Sequence, residues 1–189
     1  MIRSLILLSI SIVSVGLYAD VSVTAKECNV RSGIGHVMEK IRAGGEVRVA
    51  YFGGSITEMD GWRRMSREWL QARYPACSFA EIAAAIGGTG SSLGVYRFRQ
   101  DVLEKNPDLI FVEFATNDSN DAVENIWRNF DGFIRQAWRR NPEIDIVFVY
   151  TITQAMESDY RRGLCNRAAG AMEQLATTTA SPRSASVRA

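Results

Sequence analysis

Ser55 sits in the run Gly53-Gly54-Ser55-Ile56-Thr57, immediately after a short apolar stretch. A serine placed at a strand-to-helix turn behind two glycines has the exposure a nucleophilic hydroxyl needs, because glycine lets backbone and substrate approach closely. The same residue pattern also suits a cap of the following helix, and this loop alone does not separate the two. A second loop, Gly87-Gly88-Thr89-Gly90-Ser91, offers backbone N–H groups, and a third, Ala115-Thr116-Asn117-Asp118, offers an amide side chain. Donors of these kinds, aimed at one point, can hold the oxygen that becomes negative in acyl transfer, where one such donor is worth about 3 kcal/mol. Singly, Gly88 also reads as a turn glycine and Asn117-Asp118 as an Asx turn.

Those loops must be held by elements, and the chain supplies them in alternation. Gly35 to Ala43 has helical spacing and meets a stop at Gly44-Gly45. Val47 to Phe52 is a short β-branched and aromatic run. A helix is expected from about Gly61 to Tyr74, with Trp62, Met65, Trp69 and Leu70 on one face. Strands at Phe79 to Ile86, Leu109 to Phe114 and Ile144 to Tyr150 alternate with helices at Ser92 to Lys105, Val123 to Arg140 and Ser158 to Leu175. Such alternation calls for an α/β fold, a doubly wound, flavodoxin-like parallel sheet with helices on both faces. Ligands of such sheets bind beyond the carboxyl ends of the strands. The three loops, and Thr151-Ile152-Thr153 after the fourth strand, all fall on that rim.

Composition narrows the chemistry. The 189 residues, 47% hydrophobic, suffice for one domain with a core. Lys and Arg total 22 against 21 Asp and Glu, so no net field draws the chain to nucleic acid or an anionic membrane surface. Met1-Ile2-Arg3-Ser4, the apolar run Leu5 to Leu17, and Tyr18-Ala19-Asp20 have the layout of a signal peptide at residues 1–19, which implies export to a periplasm or the exterior. No later stretch is long and apolar enough to anchor the chain in a membrane. Cys28, Cys77 and Cys165 have neither metal-binding spacing nor an even count, so one disulfide or buried thiols are both open. No metal or organic cofactor is implied. Gly88, Gly90 and Gly94 fit a dinucleotide-binding spacing poorly, and no acidic residue ends the next strand at the required distance.

Gly-Gly-Ser-Ile-Thr, Ile-Gly-Gly-Thr-Gly and Ala-Thr-Asn-Asp, in this order over about Val47 to Leu175, resemble the first three blocks of the SGNH (GDSL-like) hydrolase superfamily. The resemblance implies an ester hydrolase working through an acyl-enzyme on a small-molecule or carbohydrate ester. It makes Ser55 the nucleophile, with the oxyanion held by the N–H of Ser55, the N–H of Gly88 and the side chain of Asn117. Gly61-Trp62-Arg63 after the first block looks closest to bacterial carbohydrate esterases. Thr57, Trp62 and Arg63 follow the serine closely enough to line a cleft. The other helix residues, Trp69, Trp127, Trp138, Arg139 and Arg140, read as core anchors and solvated faces.

Departures matter too. Gly54 stands where the family usually has Asp, and Ala115 where it has Gly. The final Asp-x-x-His block is absent, and the single histidine, His36, lies on the first helix beside Val37 and Met38, the position of a structural or surface residue. A serine without a base is a poor nucleophile. A domain is thus expected over 20–175, incomplete in its last strand and its Asp-x-x-His block. Residues 176–189, from Thr177-Thr178-Thr179 to Ala189, lose all periodicity and read as an aberrant or disordered tail. Their composition permits a shifted reading frame that would encode a helix end, a Gly turn and an apolar strand, as if a longer enzyme had been cut short. A sheet lacking that strand should be marginally stable or associate through its open edge. The alternative to an impaired enzyme is a non-catalytic protein that keeps the cleft to bind a sugar or ester.

Overall fold

The computed structural model describes residues 22–31, 33–178 and 184–188, the last by backbone alone; the signal-peptide reading of 1–19 falls outside them. In chain order the elements are β1 (Cys28–Asn29), α1 (Gly35–Ala43), β2 (Gly45–Gly53), α2 (Ser55–Glu58), α3 (Trp62–Arg73), β3 (Cys77–Ala83), α4 (Ser91–Asp101), β4 (Leu109–Glu113), α5 (Val123–Arg140), β5 (Asp145–Tyr150), α6 (Glu157–Arg161), α7 (Arg167–Thr178) and β6 (Ser184–Arg188). The sheet order is β1-β6-β5-β4-β2-β3. β2 to β6 are mutually parallel, and only β1 runs antiparallel, against β6. That is the doubly wound arrangement expected from the alternation of strands and helices.

Side-chain alternation divides the core into two layers. Ala50 and Phe52 of β2, Ile110 and Val112 of β4, and Ile146, Phe148 and Tyr150 of β5 point to one face, where α4, α5 and α7 cover them. Val47, Val49 and Tyr51, with Leu109, Val147 and Val149, point to the other, under α1 and α3. The first layer is an aromatic cluster in which Phe52 has Phe98, Phe114 and Phe133 at centroid separations of 5.1, 5.2 and 5.3 Å, favourable edge and tilted geometries. Asp145, buried at the start of β5, accepts the Val37 N–H at 2.9 Å and so ties down the first turn of α1.

Three expectations are amended by the structure. The helix predicted over Ser158 to Leu175 is two helices: Gly163 takes φ +76°, ending α6, and Asn166 Oδ1 accepts the Ala169 N–H at 2.7 Å to start α7. On α3, Leu70 is buried and Trp62 half-buried, but Met65 and Trp69 are 66% and 60% exposed, while Arg63 and Arg67 turn inward to Glu81. The pair of arginines meeting a half-buried carboxylate on β3 outweighs the hydrophobic face that spacing alone assigned. Trp127 and Trp138 do pack on the core, donating to the Ala171 and Ile144 carbonyls. Finally, the place left open beyond β5 is taken by Ser184–Arg188, which pairs parallel with β5 and antiparallel with β1. Pairing at a sheet edge uses main-chain groups, so a segment without apolar periodicity can still fill it. Among the described residues the three cysteines are unbridged, and Cys77 is buried against the Ile41 carbonyl. No helix among the described residues is long and apolar enough to cross a membrane.

Candidate active site

Ser55 opens α2 directly after β2, and Gly54 is the residue before that helix, with extended backbone and no side-chain cap. The serine hydroxyl is therefore not spent on capping its own helix. Three close approaches bring the other two loops to it. A Cβ at Gly54 would overlap the Asn117 side chain, lying 2.8 Å from its Cγ. A Cβ at Gly87 would lie 3.7 Å from Ser55 Cβ and 2.6 Å from Glu58 Oε2. A Cβ at Gly90 would lie 2.6 Å from Asp118 Oδ1 and 4.0 Å from Asn117 Cβ. Only residues without side chains let the three strand ends close on one another. Gly88 itself has φ +71° with open space around it, a left-handed turn position.

Beneath this surface is a layer of buried polar groups. Glu113, fully buried at the end of β4, accepts the Thr57 hydroxyl at 2.8 Å and the Thr151 hydroxyl at 2.5 Å, and also the Gly54 N–H. Burial pushes its carboxyl above the usual range, against the pull of those donors. Asp118, also fully buried, accepts the Ser91 N–H at 2.9 Å on Oδ1, so it joins the third loop to the start of α4. Burial raises its pKa to about 6, opposed by Ser91 and aided by Asp121 and Glu113. Arg97, from α4, donates to the Ala84 and Gly53 carbonyls at 2.5 and 3.2 Å, with its guanidinium 4.4 Å from the Phe52 ring centroid. It pins the ends of β2 and β3 together.

Of the residues singled out from sequence, Ser55, Gly87-Gly88 and Asn117 meet on one rim. Thr57 is wholly buried on Glu113, not facing a cleft. Trp62 packs its ring against Tyr51 and Phe111 in the lower core layer. Arg63 is tied to the Thr57 carbonyl at 3.0 Å and paired with Glu81, bracing the loop from behind. His36 shares a pocket with Asp108, Asn141 and Glu143, residues that precede β4 and β5, so it lies at the opposite end of the sheet from Ser55. Spanning β4 alone separates the two ends by about 15 Å. Sequence reasoning gave no role to Glu113, Glu58 or Arg97, and read Asp118 only as part of an Asx turn. A charged residue inside an otherwise apolar strand, as Glu113 is in Leu109–Glu113, was the available signal.

Among the described residues Asn117 Oδ1 and Asp118 Oδ2 are buried without a hydrogen-bond partner, an exception of the kind that collects at functional sites. The site is marked by these converging polar groups and not by cavity size: a strongly apolar cavity of about 600 Å³, lined by Val23, Trp127 and Leu175, involves none of the rim residues. The arrangement is suited to a hydroxyl nucleophile beside backbone and amide donors, the elements of acyl transfer.

Comparison with known proteins agrees with this chemistry. Residues 51–187 match the model of the GDSL-like lipase/acylhydrolase family. A two-domain esterase active on acetylated mannans, co-crystallised with mannopentaose, is 26% identical, with a TM-score of 0.67 over 82% of this chain and 40% of its own. A catalytic mutant of an acetylxylan esterase from Geobacillus stearothermophilus is 19% identical, with a TM-score of 0.57 over 73% of this chain and 75% of its own. A lipase/acylhydrolase from Enterococcus faecalis is 20% identical, with a TM-score of 0.53 over 69% of both chains. At such identities the last two report the fold. This chain spans about two fifths of the length of the mannan esterase. No curated protein sequence matches the chain.

Proposed function

The chain belongs to the GDSL-like lipase/acylhydrolase family, and on that premise we propose that it carries the nucleophile and oxyanion donors of an exported serine esterase acting on acylated carbohydrate. Ser55 Oγ attacks the acyl carbon, and the tetrahedral oxygen is held by the N–H groups of Ser55 and Gly88 and the amide of Asn117. Collapse expels the sugar hydroxyl, and water then cleaves the acyl-enzyme. The observation that carries this reading is the closure of three loops on one rim, with Asn117 against Gly54 and Ser55 against Gly87. The carbohydrate part rests on the likeness to the esterase active on acetylated mannans. Export rests on the layout of residues 1–19.

Turnover by the chain as it stands is impaired. Its one histidine is His36, and the pocket of that residue is at the far end of the sheet. A site of this type that loses a triad member keeps about 10³- to 10⁴-fold catalysis over water from its oxyanion hole and binding. Hydrolysis of p-nitrophenyl acetate by the purified chain should therefore be slow, and Ser55→Ala should leave that residual rate little changed. A version extended in the shifted reading frame should gain at least about a hundredfold. A gain in the extended version that survives Ser55→Ala would refute the nucleophile. Mannan-oligosaccharide binding that survives Ser55→Ala, with no acylated Ser55 by intact-protein mass, would instead identify a binding protein.

A further inference from the structure

Glu113 is not explained by the fold. It ends a strand whose other residues are apolar, its side chain is fully buried, and among the described residues it makes no ion pair. A buried, unpaired carboxyl is costly, and an apolar residue would serve stability better. What the carboxyl does provide is several acceptor positions at once, which no amide or apolar side chain reproduces. One oxygen receives Thr151 Oγ1 at 2.5 Å, which anchors the carboxyl to the end of β5. The other receives Thr57 Oγ1 at 2.8 Å, and the Gly54 N–H also points toward the carboxyl. Gly54 and Thr57 flank Ser55 on either side. The fit is tight, since a Cβ on Gly53 would lie 2.6 Å from both Thr57 Oγ1 and the Glu113 carbonyl oxygen.

We propose that Glu113 is a positioning residue for the Ser55 loop: from beneath, its carboxyl holds the Gly54 N–H and the Thr57 hydroxyl, and so fixes where Ser55 presents its hydroxyl and its amide. This rests on the reading of Ser55 as nucleophile. Rigid support of this sort is what keeps a nucleophile within the narrow geometry that catalysis demands.

The two threonines provide an internal control. Each donates one hydroxyl to the same carboxyl, and both are buried, but Thr57 belongs to the Ser55 loop and Thr151 does not. The experiment is amide hydrogen exchange of the full-length chain in wild type, Glu113→Gln, Thr57→Val and Thr151→Val, read at the peptide covering residues 53–59 and at α5. Glu113→Gln and Thr57→Val should accelerate exchange at 53–59 by about tenfold or more, with α5 unchanged. Thr151→Val should change it by less than about threefold. Equal acceleration in the two threonine variants, or a folded Glu113→Gln with wild-type exchange at 53–59, overturns the proposal. If Glu113→Gln does not fold, the threonine pair decides the matter. Labelling of Ser55 by a fluorophosphonate in the chain extended in the shifted reading frame, followed by intact mass, separates the two readings. Labelling without the exchange response refutes the role of Glu113, whereas the exchange response without labelling leaves Glu113 holding the loop and removes Ser55 as nucleophile.

Discussion

At Gly54 the lack of a side chain is what allows Asn117 to lie against the Ser55 loop. The backbone there is extended, so alanine brings no conformational strain, only overlap. Gly54→Ala should thus lower stability by about 1–3 kcal/mol, as overpacking does, and should displace the Asn117 amide. Fluorophosphonate labelling of Ser55 in the extended version, in parallel with a thermal melt, checks this, and unchanged labelling there would contradict the placement of Asn117. Asp118 makes a pH-dependent contribution. Its carboxyl titrates near 6 in the fold, against 3.8 unperturbed, because it is buried. A raised carboxyl pKa means that the folded state binds the proton more tightly. The stabilisation is complete below about pH 4 and is lost as pH rises through 6, amounting to about 3 kcal/mol. Asp118→Asn, which keeps an acceptor for the Ser91 N–H, should flatten the fall in denaturation free energy between pH 4 and 7. Glu113, shifted in the same direction, leaves a residual slope.

Among the elements, α4 is the one that binds the site to the core. Ser91 at its start meets Asp118, and Arg97 two turns on holds the carbonyls of Gly53 and Ala84. Between them Gly94 faces three ring carbons of Phe114, Phe133 and Phe52, which a Cβ would approach to 3.1, 3.2 and 3.2 Å. Alanine at a helix interior gains about 1 kcal/mol over glycine. Here three buried rings must yield to admit it, at about 1–3 kcal/mol. Gly94→Ala should therefore destabilise by about 1 kcal/mol net, measured by chemical denaturation, where an exposed helix would show the opposite sign. The same contest between propensity and surroundings explains α3, where inward arginines found Glu81 and left Trp69 in solvent.

For the molecule as a whole, β5 is the strand at risk. Every residue of it is buried, and its far edge is covered by β6, whose other edge carries β1. The Glu173 carboxylate closes that side, receiving Tyr150 Oη at 2.7 Å, Asn29 Nδ2 at 2.8 Å and Arg31 at 2.6 Å. Deleting residues 179–189 should bare the β5 edge and leave β1 without a partner strand. A lower melting temperature and concentration-dependent association by light scattering are expected. A deletion variant that stays monomeric with an unchanged melt would mean that β6 adds nothing to the sheet.

Strand and helix order, the parallel sheet and the three loops of the rim were legible in the sequence, because each depends on local chemistry. Apolar runs such as Val47 to Phe52 and Leu109 to Phe114 mark buried strands, and Gly-Gly-Ser or Ala-Thr-Asn-Asp can sit only where a strand ends and a turn begins. The remoteness of His36 from Ser55 was likewise foreshadowed by its place on the helix before β2. The partners were not legible. Nothing near Thr57 or Trp62 says that one is buried on Glu113 and the other on Tyr51, and nothing in Ser184–Arg188 says that it pairs with β5. These contacts join residues from eleven to more than fifty positions apart, and their geometry exists only once the sheet has brought its strands together. Residue types and local spacing decided what chemistry was on offer; the tertiary structure decided which groups face the rim and which support it from below.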